Sequence, residues 1–156
     1  MPKNPMPTAA NVDVARYMGK WFVIASIPTF LEKSAYNAVE SYRQDADGTI
    51  ATTFSFRKGS FKGPEKTMRP RGWVEDPVNH ARWGMQFIWP IKAEYLIAYL
   101  NDEYTETIIA RSARDYVWIM ARTPELAPDE YQRLLDRVGV LGYDTSKVRR
   151  VPQRWP

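Results

Sequence analysis

Between residues 21 and 122 the chain is cut into eight short stretches rich in aromatic and β-branched residues, spaced roughly 8 to 15 residues apart and separated by turn signals. The stretches are 21–25, 38–43, 49–57, 66–74, 81–88, 95–100, 106–111 and 116–122. Asp47-Gly48 is a hairpin signal. Residues 59–64 and Asp76-Pro77-Val78-Asn79 read as turns, and Trp89-Pro90 ends the fifth stretch. In the third stretch Ile50, Thr52, Phe54 and Phe56 alternate with Ala51, Thr53 and Ser55, the period of a strand with two unlike faces. Pro70 interrupts the fourth stretch and predicts a bulge or an edge there. After residue 127 the period changes. Pro128 opens a helix with Asp129 and Glu130 in its first turn, and Tyr131, Leu134, Leu135 and Val138 form one apolar stripe. Gly139 and Gly142 bracket its end. This order predicts an all-β domain, an antiparallel sandwich or barrel, followed by one amphipathic C-terminal helix. The helix needs an apolar exterior, and the last strand offers Val117, Ile119 and Ala121, so Tyr116, Trp118, Met120 and Arg122 point the other way.

The start of the first strand is equally specific. Asp13 is placed to cap a helical turn over 14–18. Gly19 stops it, because glycine takes left-handed backbone angles at little cost. Trp21 then opens the run Trp21-Phe22-Val23-Ile24-Ala25. A large indole at this position plugs one end of a closed sheet or serves as a single core tryptophan.

At 156 residues one domain is expected, spanning 11–156, with the proline-rich residues 1–10 as a flexible lead-in that fits a trimmed tether. Six Trp and nine Tyr point to more than one aromatic-lined surface. No apolar run approaches the roughly 20 residues of a membrane helix. The net charge of +4 favours anionic partners such as fatty acids, phospholipid heads or anionic membrane surfaces. The basic residues carry no nucleic-acid-binding signature, so no nucleic acid is expected. The sequence holds no cysteine, which removes disulfides, thiol nucleophiles and cysteine metal sites. His80 is the one histidine, with no second ligand or serine partner at a recognisable spacing, and no metal or cofactor is expected. Serine and cysteine triads, phosphate loops and GxSxG are absent, and Asp102, Glu103 and Asp115 are turn carboxylates without acid–base pairing.

Three stretches together resemble the lipocalins: Gly19-Lys20-Trp21, Asn101-Asp102-Glu103-Tyr104, and Trp118-Ile119-Met120-Ala121-Arg122-Thr123-Pro124. The likeness runs from about residue 11 to about residue 152 and is nearest to the subgroup of bacterial lipocalins, plant temperature-induced lipocalins and apolipoprotein D. It implies an eight-stranded antiparallel up-and-down barrel with one C-terminal helix outside. It also implies a structural set of Gly19, Trp21, Tyr104 and Arg122, with the Arg122 guanidinium across Trp21 at the closed end.

If Arg122 reaches Trp21 inside the barrel, Trp118 faces the lumen too. The resemblance places Tyr42, Phe54, Met85, Tyr95 and Trp118 at ligand-contacting positions. Alternation adds Phe56, Trp83, Phe87, Ile97 and Tyr99, and Glu40 faces inward with Tyr42. Such a lining either holds one small ligand or fills the barrel with side chains. Glu40 is then a raised-pKa hydrogen-bond donor to a ligand or an ordinary carboxylate at a wet mouth. Arg69, Arg71, Arg82 and Lys92 are candidate rim cations for an anionic headgroup, or a solvated face. Phe30 and Leu31, in the first connection, lie over the open end as a lid or as packed loop.

The resemblance implies binding and carriage of a small hydrophobic molecule, a fatty acid or lysophospholipid foremost, by reversible partition without a covalent step. It leaves two other readings: a filled barrel acting through its surface, and an enzyme acting on a bound hydrophobic substrate, although the known lipocalin isomerase uses a lumen cysteine that this sequence lacks. Peripheral membrane contact and a homodimer through Trp89 or Trp155 are further expectations. The expected compartment is the cell envelope if an export segment has been removed, and otherwise the cytoplasm.

Overall fold

The computed structural model describes residues 5–29, 33–88 and 91–156, with Phe87, Ile88 and Ile91 described by their backbone only. The expectations for Phe30, Leu31 and Trp89 lie outside the described residues. A short helix α1 (Val14–Tyr17) precedes β1 (Gly19–Ile27), β2 (Ala35–Gln44) and β3 (Ile50–Lys58). Next come β4 (Glu65–Met68), β5 (Arg71–Val74), β6 (Arg82–Ile88), β7 (Ile91–Leu100), β8 (Glu106–Ala110) and β9 (Val117–Ala121). Helix α2 (Pro128–Val140) and a two-residue strand β10 (Arg149–Arg150) complete the chain.

Every neighbouring strand pair is antiparallel, and β9 returns to β1 with Phe22 opposite Ala121, so the sheet closes on itself. β4 and β5 share one place in the wall. β3 pairs with β4 at Phe54–Met68 and with β5 at Ile50–Gly72. Pro70, which has no N–H to give, sits between them, and its carbonyl accepts from Thr52 at 3.1 Å. The wall therefore has eight strand positions, with the fourth broken where the proline predicts.

Side chains divide by face into two cores. The interior holds Trp21, Tyr42, Phe54, Phe56, Trp83, Met85, Tyr95 and Ile97. The outer core lies under α2, where Leu134 and Val138 pack on Ile108, Val117, Ile119 and Ala121. Helix α2 starts at a proline with Asp129 and Glu130 in its first turn, as its sequence predicts.

One inward assignment fails. Ile97 pairs with Ile109, but Tyr99 pairs with Ile108, so β7 advances two residues while β8 advances one. The bulge at Ala98 turns Tyr99 out of the interior and into the core beneath α2, where the Arg137 guanidinium lies 4.1 Å from its ring centre.

The wall is irregular at a second place. β1 pairs with β2 only from Gly19–Tyr42 to Phe22–Val39. Further up, β1 meets β10 instead, with Ala25 opposite Arg150. The segment after β10 crosses to β2: Val151 N–H donates to Ile24 O (2.9 Å), and Asn37 N–H donates to Pro152 O (2.9 Å). The Gln153 amide donates to Val23 O (2.9 Å) and Ala38 O (3.0 Å), one acceptor on each strand. Residues 149–153 thus close the gap between β1 and β2, and Val151 packs against the interior cluster.

Candidate functional site

The closed end is built on Arg122. Its guanidinium lies 3.8 Å from the Trp21 ring centre and donates to five backbone carbonyls. These are Tyr104 (3.1 Å), Lys20 (2.8 Å), Arg16 (3.0 Å), Tyr17 (3.2 Å) and Met18 (2.9 Å). The last three are carbonyls at the end of α1, which no helical N–H reaches. Gly19, at φ +97°, makes the turn from α1 into β1. Tyr104 holds the same corner from the other side: its hydroxyl accepts from Asp13 N–H (2.8 Å), and the Arg16 guanidinium lies 4.1 Å from its ring centre. His80 belongs to this floor as well, with Nδ1 3.3 Å from Val12 O and its carbonyl taking the Trp83 indole N–H at 2.9 Å.

Above Arg122 the rings stand in a continuous ladder. Tyr17 packs on Trp21, Tyr42 and Trp83 at 5.1, 5.6 and 5.6 Å between centres. Trp83 stacks on Tyr95 (6.0 Å), and Tyr95 on Trp118 (6.2 Å). Trp83, Met85, Ile97 and Met120 have no accessible surface, so no water-sized space borders them. The lower interior is filled by side chains. Tyr95, Phe54, Phe56 and Glu40 retain 4 to 6 %, and Trp118 is half-buried at the top of the ladder. What room the described interior has is toward the open end.

The polar atoms of the interior are gathered at one level. Tyr95 donates to Glu40 Oε1 at 3.1 Å, and the Tyr42 hydroxyl is hydrogen-bonded to that of Tyr95. Burial, reinforced by the Glu40 carboxylate, pushes ionisation of both phenols well above the usual tyrosine range. All three groups stand just below the half-buried Trp118.

Ten of the eleven predicted lining residues can be placed. Glu40, Tyr42, Phe54, Phe56, Trp83, Met85, Tyr95, Ile97 and Trp118 are brought together on the inner face, while Tyr99 is outside. The Phe87 side chain lies outside the description. Two of the four proposed rim cations lie at the closed end, and Arg69 is exposed between β4 and β5. Arg71 pairs with Asp45 (3.1 Å) in the closed-end turn after β2, and Arg82 begins β6 at the closed end. Lys92 lies over the Trp73 ring at 4.1 Å. Sequence reasoning missed Tyr17 and the bridging residues Val151 and Gln153. The signal for Tyr17 was there, an aromatic four residues before Trp21 in a capped turn. Residues 149–153 gave none.

A closed eight-strand barrel with a plugged floor, an aromatic interior and a helix outside defines a class of small-ligand β-barrels. The family profile of the lipocalin-like domain matches residues 12–153, and the chain belongs to the lipocalin family. It is 28% identical to temperature-induced lipocalin-1 of Arabidopsis thaliana over 163 residues, covering 97% of this chain and 84% of the relative. It is 25% identical to the outer membrane lipoprotein Blc of Escherichia coli, covering 97% and 85%. Insecticyanin from the tobacco hornworm Manduca sexta has the same fold, with a TM-score of 0.74 at 16% identity over 95% of this chain and 84% of that one.

Proposed function

We propose that this protein binds and carries a small hydrophobic molecule, a fatty acid or lysophospholipid, in the open half of its barrel. The observation that carries the reading is the interior's gradient. Rings without accessible surface fill the bottom, and half-buried Trp118 stands at the top over Tyr95 and Glu40. Membership of the lipocalin family supports it. Binding is a partition: about 300 Å² of acyl surface taken from water is worth about 7 kcal/mol before the costs of association. The relative named an outer membrane lipoprotein supports an envelope location.

The test is mass spectrometry of an organic extract of the protein from its native host, set against Trp118→Ala and Tyr99→Ala. A lipid enriched with the wild type and with Tyr99→Ala, and depleted with Trp118→Ala, is the expected result. A second reading, a filled barrel acting through its surface, is favoured by the zero exposure of Trp83, Met85, Ile97 and Met120. An extract free of lipid, with tryptophan fluorescence unmoved by added fatty acid or lysophospholipid, selects it.

A further inference from the structure

Charge is distributed unevenly between the two ends of the barrel. Residues 57–66 and 147–156 together hold eight of the 22 basic residues and one of the 18 acids, a net +7, whereas the rest of the chain nets −3. The fold joins these two distant stretches in one band around Phe61 and Arg154, with Arg150 at its far side over the Tyr131 ring of α2 (4.2 Å). Arg154 stacks on Phe61 with 4.5 Å to the ring centre. The Asn37 side chain ties down the Arg154 backbone through both its N–H (2.7 Å) and its carbonyl (3.0 Å). A groove of about 240 Å³ runs between Arg57, Phe61, Arg154 and Trp155. The one acid in the band, Glu65, lies 3.5 Å from Arg57. The closed end is near neutral, because Asp45, Asp47, Glu75, Asp76, Asp102 and Glu103 share it with Arg16, Lys20, Arg43, Arg71, Arg82 and Arg122.

Aromatic rings accompany the cations. Trp155 is 41% exposed, packs edge-on to Phe22 at 5.7 Å, and has Lys20 Nζ 5.3 Å from its ring centre. Its indole N–H already donates to Gln153 Oε1 at 2.7 Å, so placing the ring at a lipid headgroup leaves no donor unmet. Tyr36 packs on Phe61 at 5.0 Å.

We propose that this band, the β3–β4 turn together with the C-terminal segment, is a docking face for an anionic phospholipid bilayer. Cations near such a surface each strengthen binding, and interfacial tryptophan favours the headgroup layer. The excess positive charge of the band turns this face of the barrel toward an anionic membrane. The proposal is independent of the carrier reading, since none of these cations belongs to the interior cluster.

The test is sedimentation with vesicles of about 30 mol% phosphatidylglycerol in phosphatidylcholine, against phosphatidylcholine alone. The wild type binds the anionic vesicles, ignores the neutral ones, and is released near 1 M NaCl, where the screening length is about 3 Å. Lys62→Glu, Arg149→Glu and Arg154→Glu combined weaken partition about a hundredfold, at about fivefold per cation lost. The lipid extracted from that variant stays as in wild type, which separates this test from the one for cargo. Equal binding to both vesicles, no binding at low salt, or an unaffected variant overturns the proposal. So does tighter binding to a single-stranded oligonucleotide than to the anionic vesicles. The salt and lipid dependence of the wild type decides the matter even where the variant folds poorly.

Discussion

At the closed end of the barrel one guanidinium reaches five carbonyls and a tryptophan ring, and Tyr17 and Trp21 have no accessible surface. In the open half, β1 leaves β2 after Phe22–Val39, and a segment from the other end of the chain fills the gap through single hydrogen bonds and one amide. The first region is held by burial and charge-assisted bonds around a packed aromatic plug. The second is held by ordinary bonds at an exposed seam. A binding barrel needs both: a floor that does not yield, and a wall near the mouth that opens at lower cost.

The contrast can be broken most directly at Trp21. Trp21→Ala empties the plug and removes the surface under Arg122, and a loss of about 3–5 kcal/mol is expected in urea unfolding. Alkali comes next. Burial holds the hydroxyls of Tyr17, Tyr42 and Tyr95 protonated well above the usual tyrosine range, while the unfolded chain ionises them near pH 10. The native state then binds more protons than the unfolded state, so their contribution is complete below pH 10 and is lost as pH rises. The expected fall between pH 10 and pH 11 is about 1 kcal/mol per tyrosine, about 3 kcal/mol for the three. Replacing Tyr42 and Tyr95 by Phe should flatten that slope by two-thirds, and an unchanged slope would refute it. Arg122→Met removes the donor to the Arg16 and Met18 carbonyls ending α1, leaving Tyr17 O to the Trp21 indole N–H, and should cost about 2–3 kcal/mol, with Arg122→Lys recovering only part because it lacks the planar fork. The smallest effect belongs to the seam. Gln153→Ala should cost about 1 kcal/mol and speed amide exchange at Asn37 and Val151, leaving Trp21 protected. Equal acceleration at both places would erase the distinction between the two regions.

Much of this was legible from the residues. The turn signals mark the wall, Pro70 marks its break, and the helical stripe selects the face of β9 on which α2 packs. The stacking of Arg122 on Trp21 is implied by the motifs. Tyr99 was misplaced because alternation holds only while pairing is regular, and the single extra residue at Ala98 inverts the faces of β7 beyond it. The bridge at residues 149–153 was illegible because a two-residue strand running into a proline carries no period. Its partners are set by where β1 and β2 diverge. The filling of the lower interior was also hidden, since an inward-facing ring reads the same whether it lines a cavity or occupies it.

The seam has a consequence for how this protein is made. β1 emerges from the ribosome well ahead of its last partner, since it pairs with β2, β9 and the segment ending at Gln153, which bonds a carbonyl 130 residues upstream. At about 5–20 residues per second, β1 waits on the order of ten seconds for its last neighbour. During that interval its upper edge offers unpaired backbone to any strand nearby. Newborn chains are therefore most open to mispairing or chaperone capture at the part of the wall that the finished barrel closes last.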